Sequence, residues 1–133
     1  MTIDGLITVR SSFGHGETVA RFEAAVRANG LRIVAGVDHA IAAFEAGVSL
    51  DPTMVMLVGD GECQATLMRG LRLIALELPF RVLVWQEDNV TWLSYVDFRW
   101  LGKRYGAATE EMCLITDMAV MFDGIARKAG SPP

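Results

Sequence analysis

The chain has 133 residues, a hydrophobic share of 52% and a formal net charge of −4. This length is typical of one domain and is sufficient to bury a full hydrophobic core. Its charges are scattered and form no basic stripe, so we expect no nucleic-acid partner. No apolar run reaches the roughly 18 residues of a membrane-spanning helix, and the first residues lack a secretory pattern, so we expect neither a membrane span nor an export signal.

Two periodicities predict the elements of the first part of the chain. Residues 6–11 alternate apolar and polar side chains, which indicates a half-buried strand. Residues 16–30 carry apolar side chains at helical spacing and end in glycine, as an amphipathic helix does. Residues 31–37 are rich in β-branched side chains and predict a second strand. Asp38 is placed to cap a short helix that ends near Gly47.

The middle of the chain predicts a third strand, a helix and a hairpin. The apolar run at residues 53–58 is typical of a central strand that is covered on both faces. Residues 63–76 fit a helical surface, with Gly70 as an interruption. Residues 80–86 and 91–95 predict two strands, and the polar link between them is short enough for an antiparallel hairpin.

Two helices complete the pattern. Asp97 is placed to cap a helix over residues 98–105, and Thr109 begins a last helix that reaches residue 127. The predicted order is β-α-β-α-β-α-β-β-α-α. It indicates a single α+β domain over residues 1–133, with an antiparallel or mixed sheet of about five strands and helices packed mainly on one face.

The cysteines and the apolar surplus bear on environment and assembly. Cys63 and Cys113 are the two cysteines, and they have neither a CxxC spacing nor a nearby Cys/His set, which argues against a disulfide framework and a zinc site. We therefore expect the protein to be cytoplasmic. The apolar share exceeds what a small monomer readily buries, so we expect a homodimer.

Several segments between residues 6 and 106 match one known pattern in order and spacing. They are residues 11–19, Val37-Asp38-His39-Ala40, Leu67-Met68, Leu76-Glu77-Leu78-Pro79-Phe80, Val82-Leu83-Val84-Trp85-Gln86, Trp92-Leu93-Ser94-Tyr95 and Trp100-Leu101-Gly102-Lys103-Arg104-Tyr105-Gly106. In these segments the chain resembles the family called domain of unknown function 302. The last helix, at about residues 109–128, lies outside the resemblance.

The resemblance implies an α+β domain that forms dimers, and some relatives bind haem through a histidine. The chain also departs from the family pattern at turns. Gly59-Asp60-Gly61 replaces a Gly-Asn-Pro turn, Arg72 replaces a proline, and Val96-Asp97-Phe98 replaces Asn-Asp-Pro. Loss of proline frees the backbone, so we expect altered loops near any pocket, through divergence or through engineering.

His39 is the candidate metal ligand. A neutral imidazole ligates haem iron well, and one axial histidine leaves the opposite coordination site open. The alternative is that Asp38 caps a helix while His39 merely bonds a backbone carbonyl. His15 lies in a Gly-His-Gly stretch, where it is either a second ligand, a pocket donor or an inert loop residue.

The remaining candidate contacts to haem b come from the predicted third helix. Met68, Leu71 and Ile74 would cover the porphyrin, since apolar side chains line such pockets. Arg69 and Arg72 would pair with the propionates, because guanidinium binds carboxylate in a bidentate manner. The alternatives are that the apolar residues belong to the ordinary core and that the arginines form a solvated face.

Two functions follow from these residues. The first is a homodimeric haem-binding protein with His39 as axial ligand and an open distal site, as a natural or engineered catalyst of small-oxidant or gas chemistry or of carbene transfer. The second is a cofactor-free module that binds an apolar small molecule or a partner protein. No hydrolase triad can be read from the chain, and the sequence leaves open whether it is an enzyme.

Overall fold

A computed structural model describes residues 2–59 and 61–133; Asp60, in the Gly59-Asp60-Gly61 turn, lies outside the described residues. The strands are Leu6–Ser11 (β1), Arg32–Asp38 (β2), Thr53–Gly59 (β3), Phe80–Glu87 (β4) and Val90–Val96 (β5). The α-helices are His15–Ala28 (α1), His39–Glu45 (α2), Gly61–Gly70 (α3), Phe98–Arg104 (α4) and Thr109–Gly130 (α5), and a 3-10 helix covers Arg72–Glu77.

The five strands form one sheet in the order β1-β5-β4-β3-β2, and every neighbouring pair is antiparallel. This confirms the predicted α+β fold, and of the two sheet types left open, antiparallel or mixed, the sheet is antiparallel. β3 is paired on both edges, as expected of a central strand, but β4 is the middle strand. The expected coverage of β3 on both faces is wrong, because Val55 of β3 faces outward on the side of the sheet that the described helices leave uncovered. The β4–β5 connection is a two-residue turn in which Asp88 and Asn89 have φ angles of 54° and 63°, the left-handed conformation that tight hairpins require.

The core lies between one face of the sheet and the helices. α1 and α5 pack directly on the strands, while α3 and α4 pack against α5. At the centre, the Phe80 ring of β4 stacks on Phe122 of α5 with ring centroids 3.7 Å apart, and Phe98 of α4 stacks on Phe80 at 5.0 Å. These rings join strand and helices because aromatic side chains bury a large apolar area in one contact.

The predicted helix over residues 63–76 is two elements. α3 ends at Gly70, and Leu71 leaves the helical conformation, with φ −141° and ψ 73°, before the 3-10 helix begins. Glycine weakens a helix interior, and Gly70 lies against Glu111 of α5, where an added Cβ would be 3.4 Å from the carboxyl carbon. The chain therefore turns at the glycine that the sequence marks as an interruption.

The other face of the sheet is uncovered by the described helices, and we call it the open sheet face. In β4 the side chains alternate, so that Phe80, Val82 and Val84 are buried in the core while the intervening positions face outward. The outward side chains from four strands form a shallow concavity of about 800 Å³. Those on the open sheet face are Leu6, Thr8, Val55, Arg81, Leu83, Trp85, Glu87, Trp92, Ser94 and Val96.

Candidate functional site

Helix α2 stands at the end of the sheet and has no buried residue. Its start follows from the predicted cap, since an Asp38 carboxylate oxygen accepts a hydrogen bond from the Ile41 amide at 3.0 Å. Ile41 is 58% exposed, Phe44 80% and Val48 56%. Large apolar side chains that cluster in solvent commonly mark a binding surface.

These side chains line a concavity that we call the α2 groove. Its volume is about 710 Å³, which is within the usual range for small-molecule sites. Its wall is mostly apolar, with a few polar groups among the lining residues. The lining residues are His15, Asp38, Ala40, Ile41, Phe44, Gly47, Val48, Ser49, Leu50 and Pro52.

His15 is the aromatic polar group of the groove. As the first residue of α1 it reaches the middle strand, where its Nε2 lies 2.9 Å from the carbonyl oxygen of Val84. A carbonyl oxygen only accepts hydrogen bonds, so Nε2 carries the proton and donates it. The ring is thereby fixed in orientation, in contrast to an inert loop histidine.

His39, the predicted metal ligand, is the first residue of α2 and is exposed. It does not belong to the lining of the α2 groove. Neither ring nitrogen forms a hydrogen bond with any residue in 2–59 or 61–133. Within the described residues His39 therefore does not bond a backbone carbonyl, in contrast to the alternative interpretation. Its ring is accessible from outside the chain.

The other predicted haem contacts lie away from His39. β3 begins beside the Asp38 end of β2, since Asp38 pairs with Met54, and α3 begins after the far end of β3 at Gly59. A strand of seven residues spans about 20 Å. One chain therefore does not bring α3 and His39 into a single crevice, because they adjoin opposite ends of β3.

The side chains of that region also have other environments. Ile74 is 0% exposed and belongs to the hydrophobic core, while Met68 and Leu71 are half-buried against it. Arg69 and Arg72 are exposed. As the alternative interpretation held, Ile74 fills the core, so it has no surface left for a porphyrin in this chain.

The predicted ligand His39 and the predicted haem contacts of α3 and the 3-10 helix therefore adjoin different ends of β3. Among residues 2–59 and 61–133 no group of three or more His, Cys, Asp or Glu side chains is placed to hold a metal ion. What remains for iron is the single imidazole of His39.

The α2 groove was not predicted from the sequence. The available signal was the run of apolar residues at 40–50, which is longer than a helix of seven residues can bury on a single face. No local pattern shows that the sheet ends beneath this helix, so the exposure of Phe44 became visible only in the fold.

The fold and its groove define a class: a small α+β domain with an antiparallel sheet and an apolar groove beside helix α2. The chain belongs to the family described as domain of unknown function DUF302, whose sequence model matches residues 7–126. The match extends beyond residue 106, where the resemblance ended, into α5. None of the described helices is long and apolar enough to cross a membrane.

Two named Brucella proteins are similar to this chain in sequence. The chain is 36% identical over 102 residues to a Brucella suis biovar 1 protein named "Fluoride-specific ion channel FluC 1", a match that covers 76% of this chain and 40% of that protein. The Brucella melitensis biotype 1 protein named "Fluoride-specific ion channel FluC 2" matches at the same identity, with 38% of its length covered. The chain thus spans about two fifths of these relatives.

A solved structure has the same fold. It is the crystal structure of an uncharacterised conserved DUF302 protein from Bacillus stearothermophilus, with a TM-score of 0.87 and 18% sequence identity, and it covers 96% of this chain and 99% of that one. At this identity the likeness establishes the fold.

Proposed function

We propose that this chain is a small-molecule-binding domain and that its ligand occupies the α2 groove. The observation that carries the proposal is a concavity of about 710 Å³ walled by exposed apolar side chains of α2 and the loop after it. Keeping such side chains in water costs free energy, and a ligand that covers them regains it. Binding of an apolar molecule in the groove is therefore favourable.

The test is an NMR titration of the ¹⁵N-labelled protein with toluene, an apolar probe without hydrogen-bonding groups. Toluene is expected to shift the amide signals of residues 40–50, and Phe44→Ser is expected to weaken its binding severalfold. The matched control is Val120→Ser, which changes another apolar residue that is 60% exposed but lies on α5. Unchanged spectra, or equal binding by the two variants, would overturn the proposal.

We further propose that the domain is a homodimer assembled through the open sheet face. Two sheets that pack face to face bury apolar side chains between them, and this face presents Leu83, Trp85 and Trp92. Trp85 and Trp92 form a cross-strand pair with ring centroids 6.3 Å apart. A pair of indoles on an uncovered face is typical of the centre of an interface.

The charges of β4 suit a second copy of the chain. Arg81 and Glu87 lie near opposite ends of the strand and both face outward. A two-fold axis that runs across the middle of β4 pairs each strand with its symmetry mate in the antiparallel sense. Arg81 of one copy then meets Glu87 of the other, twice. Among the residues that the structure describes, Arg81 pairs with Glu77 at 3.2 Å, a solvent-exposed contact.

A charge-swap series tests this interface by light scattering coupled to size exclusion. Arg81→Glu and Glu87→Arg are each expected to raise the dimer dissociation constant about fivefold or more, since each places like charges opposite one another. The double variant is expected to restore dimerisation. A monomeric parent protein, or a double variant as weak as the single ones, would contradict this assembly.

Haem b is the second candidate ligand, with His39 as its axial ligand. It is favoured by one observation, namely that both ring nitrogens of an exposed histidine are without partners in residues 2–59 and 61–133. Because the covering residues are not supplied by the same chain near His39, the porphyrin would need a surface from the partner copy.

Haemin titration followed by absorption distinguishes this candidate. Tight binding with a Soret band that His39→Ala abolishes, and that His15→Ala leaves in place, would support it. A spectrum that is unchanged by His39→Ala would remove haem as a specific ligand.

We also propose that the protein works in a reducing compartment such as the cytoplasm. It is supported by the exposed thiol of Cys113 and by the lack of any disulfide among the described residues, since secreted small domains commonly depend on disulfides.

A further inference from the structure

We infer that the α2 groove selects apolar aromatic molecules that carry a hydroxyl or N–H donor, and that Nδ1 of His15 accepts their hydrogen bond. This inference rests on the proposed function, because it assigns the ligand class of the same groove.

The tautomer of His15 is determined by its contact with the sheet. Nε2 donates to the carbonyl oxygen of Val84 at 2.9 Å, so in the neutral ring the lone pair is on Nδ1. Val84 is fully buried in the middle strand. The carbonyl that fixes the ring thus belongs to a strand that is paired on both edges, and the Nδ1 acceptor is preorganised before any ligand binds.

The Nδ1 atom is accessible and has no partner. No hydrogen bond to it is formed by residues 2–59 or 61–133. Among the described residues, Nε of Arg21 is the one side-chain nitrogen or oxygen that is both buried and without a partner. Nδ1 of His15 has no partner either, and it is therefore not a buried atom. His15 lines the groove, and we assign its unpartnered acceptor to the ligand.

The other polar groups of the groove act in the same sense. Asp38 lines the groove, and its carboxylate is an acceptor that already receives the Ile41 amide. A negative charge at the rim disfavours anionic ligands and favours ligands that donate hydrogen bonds. Phe44 and Val48 line the same groove and suit a flat apolar body. A phenol or an N–H heteroaromatic molecule combines both features.

Three probes of nearly equal shape test the inference by NMR titration. p-Cresol carries a hydroxyl donor, 4-methylanisole replaces it with a methoxy group, and toluene has neither. p-Cresol is expected to bind about three to ten times more tightly than 4-methylanisole or toluene, as one neutral hydrogen bond provides. In His15→Phe this ratio is expected to fall to about one, while His39→Phe, which changes the histidine outside the groove, keeps the parent ratio.

A second measurement does not depend on the variant folding. The ring ¹⁵N shifts of His15 in the parent protein are expected to report a protonated Nε2 and an unprotonated Nδ1, and p-cresol is expected to shift the Nδ1 signal while toluene does not. Equal affinities for the three probes, or an Nδ1 signal that p-cresol leaves in place, would overturn the inference while leaving the groove proposal intact. Failure of all three probes to bind would overturn both.

Discussion

The hydroxyl of Tyr95 links strand β5 to two helices. The Tyr95 hydroxyl donates to a carboxylate oxygen of Asp123 at 2.6 Å, and Arg99 donates to the other oxygen at 2.8 Å. Arg99 also donates to Asp97 at 2.8 Å. β5, α4 and α5 are thereby tied together by charge-assisted hydrogen bonds, which are stronger than neutral ones.

Tyr95 therefore makes the stability of the fold sensitive to alkaline pH. Burial, and then the hydrogen bond and charge of Asp123, raise the pKa of the Tyr95 hydroxyl above its ordinary value. A raised pKa means that its contribution to stability is complete below about pH 10 and is lost as the pH rises further, because the unfolded phenol then ionises first.

The expected slope is a fall in the free energy of unfolding of about 1.4 kcal/mol per pH unit above pH 10 from this group. Urea denaturation at a series of pH values measures it. Tyr95→Phe is expected to be less stable at neutral pH but to lose this part of the slope, whereas Tyr105→Phe, a matched hydroxyl deletion, retains it. Parallel curves for the parent and Tyr95→Phe would contradict the linkage.

At the scale of elements, the α4–α5 contact depends on the absence of a side chain at Gly102. A Cβ at this position would lie 2.6 Å from the sulfur of Met112 and 2.9 Å from Cδ1 of Ile115. Gly102→Ala is expected to destabilise the fold by about 1–3 kcal/mol, because an overpacked contact strains both helices. The midpoint of chemical denaturation measures the change.

Gly124 supplies the matched control for this substitution. It also lies within a helix, but a Cβ there would meet nothing within 4 Å. Gly124→Ala is expected to stabilise the fold by about 0.5–1 kcal/mol, since alanine has the higher helix propensity and restricts the unfolded chain. The same sign for both substitutions would show that packing at Gly102 is not the cause.

Two caps of the same type are expected to differ in their consequences. Asp38 caps α2, which has no buried residue, and Asp97 caps α4, which buries Phe98 and Leu101. Asp38→Ala is expected to speed amide hydrogen exchange in α2 about fivefold with little change in global stability, since a lost cap costs about 1 kcal/mol.

Asp97→Ala, in contrast, is expected to lower the free energy of unfolding of the whole domain by at least about 1 kcal/mol, because Asp97 also pairs with Arg99 at 2.8 Å. Native-state hydrogen exchange separates the two effects. Equal global losses in the two variants would mean that α2 is cooperative with the core.

At the scale of the whole molecule, α5 is an integral part of the fold. It buries Ile115, Met118, Phe122 and Ile125 against the sheet and the other helices. Four such side chains contribute about 6–12 kcal/mol, which is comparable to the total stability of a typical domain. We therefore expect the helix to be needed for folding, and the family match, which reaches residue 126, includes most of it.

Truncation after Gly106 is expected to abolish the dispersed NMR spectrum of a folded domain. Truncation after Gly130 removes only exposed residues and is expected to leave the spectrum unchanged. A folded fragment ending at Gly106 would show that the sheet and the first helices suffice.

The helices and strands could be predicted because the signals that determine them lie within a few neighbouring residues. The alternation in β1, the Asp38 and Asp97 caps, and the short polar link between β4 and β5 all act within a few residues. From these signals the number of strands, their approximate bounds and the placement of helices follow. The division of residues 63–76 at Gly70 was marked by the glycine itself.

The site was decided by the tertiary structure. Sequence spacing gives no distance between His39 and Ile74. The strand pairing places them at opposite ends of β3, since Asp38 pairs with Met54 while Phe80, which begins the strand after Ile74, pairs with Val58. It likewise brings His15 to Val84, 69 residues away. Periodicity reports which side of an element faces a layer, whereas proximity between distant residues depends on how the strands are ordered, and that order follows from packing the whole chain.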